Sequence, residues 1–491
     1  MKLVVDTMAG KVRGAERGGI STWRGIPFGH APRFAAPRLP APWSGERDAT
    51  HFAPVAIQSR DPRAAAMSGI TDKIVTSEDC LVVNVYSPGA DGKHRPVVVW
   101  IHGGAFIMGS GSQPLYNGTS FALHHDVVVV TLNYRLGVLG FLYFGDLLGD
   151  AYAEGNYALL DQIAALRWVR DNIAAFGGDP DAVTVMGESA GAVSVATLLA
   201  MPAAQGLFHR AILQSGASGL SPPTRTDATE VTRGVLDQLG VDARTAVELP
   251  VEQLLAAQEH ISRARGLGAF APYIDGVTVP RRPIEILRGR AGAGVPLLLG
   301  SNRDEWALFD VFFGAAATDG VKAQLRGMLG AEADRLHAAY RESRADRDDH
   351  LAWVDLVGDV AFRIPMIRLA EVTARDAAVW MYRFDWATPA FDGRLGAAHA
   401  LELPFVWNTV ELPVSQFLLA GDVVGALPLA TAMHAAWASF IRTGDPNPPA
   451  PSAAIPAWPR YDVDRRATML LDRSSRVVDD PGGALRQLWP A

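Results

Sequence analysis

Apolar, β-branched runs without polar alternation recur along the chain. They are Val97 to Ile101, Val127 to Leu132, Val183 to Met186, Ala211 to Leu213, Pro296 to Leu299 and Val379 to Phe384. A strand with one wet face alternates apolar and polar residues. Unbroken runs suit strands buried on both faces, as at the centre of a mostly parallel sheet. Between the runs lie segments of helical pattern, among them Tyr157 to Phe176 and Thr229 to Leu239. Such alternation predicts an α/β fold with helices on both faces of the sheet. In folds of that kind the functional site gathers at the carboxyl ends of the strands. No repeat at solenoid or propeller period is present. Asp445 to Pro459 is Pro-rich and predicts an ordered surface loop, whereas the mixed-charge run Arg341 to His350 predicts a solvated face or exposed loop.

Composition narrows the class. The 491 residues would fill two or three average domains, yet large α/β enzymes hold this length in one unit, and a single domain, 1–491, is expected. With 49% hydrophobic and 20% charged residues the chain is globular. A net charge of −7 without a basic block argues against nucleic acid as a partner. The lone cysteine, Cys80, makes an intramolecular disulfide impossible and disfavours a secreted, disulfide-stapled protein. Met1 to Gly10 lacks the apolar core of a signal peptide, and no run of about 18 apolar residues predicts a membrane span. The default compartment is the cytoplasm, with no membrane partner. The oligomeric state is left open between a monomer and a small homo-oligomer.

Candidate chemistry centres on Gly187-Glu188-Ser189-Ala190-Gly191, a G-x-S-x-G turn entered from a β-branched run and left through the small-residue stretch Ala190 to Ala200. That is the layout of a nucleophile elbow, in which a sharp strand-to-helix turn pushes the serine hydroxyl into a cleft. A serine nucleophile needs an anion site and a base. Upstream, PVVVWIHGGAF (Pro96 to Phe106) places His102-Gly103-Gly104-Ala105 at a strand end, where small residues can turn backbone N–H groups into a cavity, joined by the N–H of Ala190. Downstream stand His337, His350, His399 and His434. His399 follows the loop-like Gly396-Ala397-Ala398, and position favours it as the base. The acid is expected just past the Leu297 to Leu299 run, where Asp304 and Glu305 are adjacent and local reasoning does not choose between them.

With these residues in view, the chain resembles the type-B carboxylesterases, the family that includes bacterial para-nitrobenzyl esterases and the cholinesterases. FGGDPDAVTVMGESAG (Phe176 to Gly191) is similar to the family's serine signature, and SEDCLVVNVYSP (Ser77 to Pro88) to its second. RGIPF (Arg24 to Phe28), NYRLGVLGF (Asn133 to Phe141), GNYALLDQ (Gly155 to Gln162), QSGA (Gln214 to Ala217) and TGDPN (Thr443 to Asn447) follow in the family's order. The resemblance implies an α/β-hydrolase fold, a large mostly parallel central sheet with helices on both faces and helical insertions capping the site. It makes Ser189 the nucleophile and His399 the base, and it selects Glu305 as the acid from an N-x-D-E-G segment in which Trp306 here replaces the glycine. Gly104, Ala105 and Ala190 become the oxyanion donors, and Gly103 a spacer. Glu188 resembles a glutamate that stabilises positive charge near the histidine.

Departures refine the expectation. Cys80 matches a disulfide cysteine of secreted members, but Pro54 to Gln58 holds no partner, which supports an intracellular enzyme. The segment between Ile57 and Cys80 has no Trp, so no aromatic face for a choline cation is expected. Gly266 and Gly268, ahead of Phe270, stand where cholinesterases carry bulky aromatics, which implies a roomier acyl pocket. The expected activity is hydrolysis of small-molecule carboxylic esters by a Ser-His-Glu triad, with no cofactor and no metal. Carbamate or aryl-amide hydrolysis by the same triad, and a non-catalytic adhesion protein on the same fold, are the alternatives.

Overall fold

The computed structural model describes residues 3–59, 74–217, 222–266, 268–289, 294–344, 347–450 and 452–489. The chain forms two compact units, Met1–Ile212 with Ser221–Ile286 and Ile441–Thr443, and Leu213–Leu220 with Leu287–Phe440 and Gly444–Ala491.

In the first unit the strands β1 (Ala15–Arg17), β2 (Ile20–Pro27), β3 (Val82–Ser87), β4 (Arg95–Ile101), β5 (Val128–Leu132) and β6 (Gly178–Glu188) lie in the order β6-β4-β5-β3-β2-β1. β4 pairs in parallel with β5 and with β6, while β5-β3, β3-β2 and β2-β1 are antiparallel. Val97 to Ile101 and Val128 to Val130 are fully buried, which is why their sequence carries no alternation. Strand β6 starts earlier than its apolar run, through a register shift between Gly178 and Val183. The segment expected as one helix from Tyr157 to Phe176 is an α-helix, α1 (Tyr157–Asn172), closed by a 3₁₀ turn, Ile173–Phe176. Asp161 on α1 is wholly buried and receives Nε and Nη2 of Arg135 at 2.8 and 2.7 Å, so neither charge is left without a counter-charge. Helix α2 (Ala190–Ala200) follows β6 directly. Helix α3 (Arg225–Leu239) begins ahead of its apolar stripe because Thr224 and Asp227 form a reciprocal capping box.

In the second unit β7 (Leu297–Asn302), β8 (Val379–Phe384) and β9 (Ala467–Leu471) are parallel neighbours, and β10 (Arg476–Asp479) closes that edge antiparallel to β9. Helix α4 (Ala307–Phe313) starts just past the turn after β7. Helix α5 (Val423–Thr443) is long and apolar enough to cross a membrane by length and composition, an exception to the expectation that no segment would be, but 67% of its most apolar window is buried in the fold. The described residues of Asp445 to Pro459 form a loop, as expected, pinned where Trp458 N–H donates to Asn447 Oδ1 at 2.7 Å. Among the described residues of the mixed-charge run, Arg341 to Ser343, Asp348 and Asp349 are exposed, as expected, but two arginines depart from that pattern. Arg344 and Arg347, between helices Ala331–Ser343 and Asp349–Gly358 in sequence, turn inward to ion-pair with Asp304 and Asp355. Buried carboxylates recruit these cations, because an unpaired charge there costs more than losing the arginines' hydration.

Candidate active site

Between the last residue of β6, Glu188, and the first of α2, Ala190, the chain reverses at one residue. Ser189 has φ 54° and ψ −122°, a backbone conformation that an L-residue adopts only under strain. Such strain costs roughly 1–3 kcal/mol and persists where its surroundings hold it in place. Both flanking glycines are sterically required. A Cβ at Gly187 would lie 2.5 Å from the Gly191 carbonyl carbon, and one at Gly191 would collide with the Ile101 carbonyl oxygen.

The glycine loop after β4 passes against this turn. A Cβ at Gly103 would come 2.7 Å from Glu188 Oε2 and 3.1 Å from Ser189 Cβ. Gly104, Ala105 and Phe106 then take φ of 113°, 53° and 61°, a left-handed run that turns the backbone sharply. The turn is fixed by Ile107 and Met108 N–H groups, each donating to the Gly104 carbonyl at 3.1 Å, and by Gly137 N–H donating to the Phe106 carbonyl at 2.7 Å. Glu188 is buried beside the loop. Burial, helped by the charge of Glu188, pushes the Tyr134 phenol up from its ordinary pKa.

Within the second unit the structure brings Glu305 and His399 together. His399 Nδ1 lies 2.6 Å from Glu305 Oε2, and the other carboxylate oxygen accepts the Asn302 N–H at 2.7 Å. Both side chains are buried. A carboxylate only accepts, so Nδ1 carries the hydrogen and Nε2 is the basic nitrogen. The imidazole packs against Phe362 and Phe309, with ring centroids at 4.5 and 5.3 Å. Asn302 Nδ2 donates to the Ala398 carbonyl at 2.6 Å and to Glu402 Oε2 at 2.7 Å. One side chain thus ties the acid's strand end to the residue before the histidine. Gln214 Nε2 donates to the other oxygen of Glu402 at 2.9 Å, and burial raises the Glu402 pKa. Neither Asn302 nor Glu402 stood out in the sequence, although both sit inside family-like segments around Glu305 and His399.

Asp304 has a different task. It accepts from Arg303, Arg344 and Arg347, and it also accepts the Ala397 N–H at 2.9 Å. Burial alone would raise its pKa, but the charge and hydrogen bonds of Arg303, followed by the other donors, bring it down to about 2. Asp355, beside the same arginines, is pushed up to about 6 by burial. Trp306, the departure from the family's glycine, tucks against Phe309 at 4.7 Å and donates Nε1–H to Thr318 Oγ1 at 3.2 Å, so it leaves the Glu305–His399 pair in place.

The other downstream histidines are engaged elsewhere. His337 stacks on Trp353, His350 Nε2 contacts Asp310 Oδ1 at 2.9 Å, and His434 on α5 contacts the Val406 carbonyl at 2.7 Å. Gly266 and Gly268 are exposed, and a Cβ at either would meet nothing within 4 Å, whereas Phe270 is buried. Gly266 has φ 84°, so only Gly268 accepts a side chain without backbone strain. Most of the Trp-free segment before Cys80, residues 60–73, lies outside the described residues. Cys80 is a buried free thiol whose pKa is pushed up by burial.

The profile of the Carboxylesterase family matches residues 1–482. The para-nitrobenzyl esterase of Bacillus subtilis (strain 168) is 38% identical over 99% of each chain, and the phenmedipham hydrolase of Pseudarthrobacter oxydans is 36% identical over 97% of each. The crystal structure of the Geobacillus stearothermophilus carboxylesterase EST55 is similar with a TM-score of 0.88 at 41% identity, covering 100% of both chains. These neighbours have the α/β-hydrolase fold. The chain belongs to the carboxylesterase family and is a carboxylic ester hydrolase.

Proposed function

We propose that this esterase works through an acyl-enzyme carried by Ser189, with His399 as general base and acid and Glu305 as the acid of the triad. Ser189 Oγ attacks the ester carbonyl while His399 Nε2 takes its proton. Glu305 holds the imidazole tautomer and stabilises the imidazolium. The N–H groups of Gly104, Ala105 and Ala190 stabilise the oxyanion, each worth about 3 kcal/mol of barrier. The imidazolium protonates the departing alcohol, and a water deprotonated by His399 then cleaves the acyl-enzyme. Glu188, beside the nucleophile, adds negative charge that favours the imidazolium. The observation that carries this reading is the strained Ser189 elbow lying against the glycine loop. Residues 1–491 work as one catalytic domain in this reading, and the single buried Cys80 supports a cytoplasmic enzyme. A panel of para-nitrophenyl esters, carbamates and anilides tests it. Esters turn over fastest, and a panel in which only anilides or carbamates react overturns the ester reading.

The acyl side of the site takes benzoyl or medium-chain groups alongside acetyl, because Gly268 leaves space that a large side chain would fill. Gly268→Phe therefore lowers kcat/KM for a benzoyl ester about tenfold more than for the acetyl ester of the same alcohol, the size of an overpacking cost. Equal losses on both esters, or no loss on either, remove Gly268 from the acyl pocket and leave it as a surface-loop glycine.

A further inference from the structure

The oxyanion donors are backbone N–H groups, and their aim depends on what holds their peptides. In a trans peptide the carbonyl of one residue and the N–H of the next are coplanar and point in opposite directions. Whatever grips the carbonyl therefore aims the N–H. Of the three peptides that carry the donors, two are gripped by backbone. The Ser189 carbonyl, sharing its plane with the Ala190 N–H, accepts from Val193 N–H at 2.9 Å in the first turn of α2. The Gly104 carbonyl, in plane with the Ala105 N–H, accepts from Ile107 and Met108. The third is gripped by a side chain. The Gly103 carbonyl, in plane with the Gly104 N–H, lies 2.8 Å from Nδ1 of His102.

We propose that His102 is a positioning residue of the oxyanion hole, its imidazole aiming the Gly104 N–H at the developing negative oxygen by holding the carbonyl of the same peptide. The inference rests on the oxyanion assignment above and adds to it a residue that never touches substrate.

Four observations support the role. A carbonyl only accepts, so Nδ1 of His102 carries the hydrogen and the tautomer is set. The ring is wholly buried, and burial lowers its pKa to about 4, so it stays a neutral donor across the working pH range. Its orientation is locked. It stacks on Tyr134 with centroids 4.4 Å apart and planes 19° off parallel, and Tyr134 Oη donates to the His102 carbonyl at 2.7 Å. Space for the contact is preserved by Gly109, where a Cβ would sit 2.5 Å from both Gly103 O and His102 Nδ1. Gly109 is itself held on both backbone groups by buried Gln58, its N–H donating to Oε1 at 2.9 Å and its carbonyl accepting from Nε2 at 3.0 Å. A left-handed run such as Gly104 to Phe106 needs restraint of this kind to keep one geometry. Polarising the amide through its carbonyl also strengthens its N–H as a donor.

The test compares the full-length enzyme with His102→Phe and His102→Asn. Phenylalanine keeps the stack on Tyr134 but has no donor, whereas the asparagine amide places an N–H where Nδ1 stood. On para-nitrophenyl acetate, His102→Phe lowers kcat about 10- to 100-fold, part of the effect of losing a whole oxyanion donor, with KM within about twofold. Its affinity for an aryl trifluoromethyl ketone, which forms a tetrahedral adduct on serine, falls by the same factor. His102→Asn recovers kcat to within about threefold of the parent. A merely structural histidine would lower the melting temperature without this split between kcat and KM and without rescue by asparagine. If His102→Phe does not fold, His102→Gln replaces it, because its N–H sits at the Nε2 position and misses the Gly103 carbonyl. The proposal is overturned if the donor-free variant keeps parental kcat, or if His102→Asn loses as much as the donor-free variant. Failure of the underlying oxyanion reading is separate, since a parent enzyme that binds the trifluoromethyl ketone no more tightly than the corresponding secondary alcohol has no oxyanion site for His102 to aim.

Discussion

Ser189→Ala lowers para-nitrophenyl ester turnover by roughly 10⁴- to 10⁶-fold while the protein stays folded. Removing a triad member leaves only the oxyanion site and substrate binding to act, and the remaining members then accelerate nothing on their own. Alanine is smaller than serine at a position whose neighbours are glycines held at closest approach, so it introduces no clash. A serine-reactive organophosphate labels the parent at Ser189 alone. Ser215 is the instructive control, since it also has positive φ, 51°, but is fully buried, out of a reagent's reach. Labelling found on Ser215, or a Ser189→Ala enzyme within tenfold of the parent rate, about 1.4 kcal/mol of barrier, refutes the nucleophile assignment.

Glu305→Gln and Asp304→Asn, neighbours in sequence, fail in different ways. The first removes the charge facing His399 Nδ1–H and lets an amide turn the imidazole into the wrong tautomer, so kcat falls about 10³- to 10⁴-fold with little loss of stability. The second leaves the 2.6 Å Glu305–His399 contact intact but removes the carboxylate that pairs with Arg303, Arg344 and Arg347, leaving Asp355 to pair with the last two. Its main cost is stability, about 3 kcal/mol for removing one partner of a buried pair, with a smaller catalytic loss through the Ala397 contact next to the histidine loop. The pH signature follows from linkage. Asp304 titrates at about 2 in the fold, below its unfolded value, so its stabilisation is fully present above about pH 4 and is lost as pH falls towards 2. Acid unfolding of Asp304→Asn accordingly lacks that component. Steady-state rates and denaturation midpoints check both arms, and the reverse ranking in kcat would mean that Asp304 is the triad acid.

Local pattern was enough for the buried strands and for the elbow. Val97 to Ile101 and Val379 to Phe384 lie in strands because residues wet on neither face show no alternation, and that property is written in the run itself. The G-x-S-x-G turn is equally local, since its glycines answer contacts within a few residues and with one strand end. The outer strands were not legible. Ala15–Arg17 and Arg476–Asp479 are short and partly exposed, and an edge strand is stabilised by the neighbour it pairs with rather than by its own apolar content.

Local pattern did not choose between Asp304 and Glu305; the resemblance selected Glu305, and the fold gives the physical reason. The two residues are adjacent and chemically alike, and their side chains part at a turn whose directions only the tertiary chain sets, one meeting a histidine 94 residues on and the other three arginines. The same holds for Arg344 and Arg347, which read as solvated charge until a buried carboxylate 40 or so residues upstream claims them. Residue types, and the chemistry they allow, are properties of the sequence by itself. Which partner each charged or polar group meets is decided by tertiary structure, because burial makes an unpaired group costly and long-range folding alone determines what lies within hydrogen-bond reach.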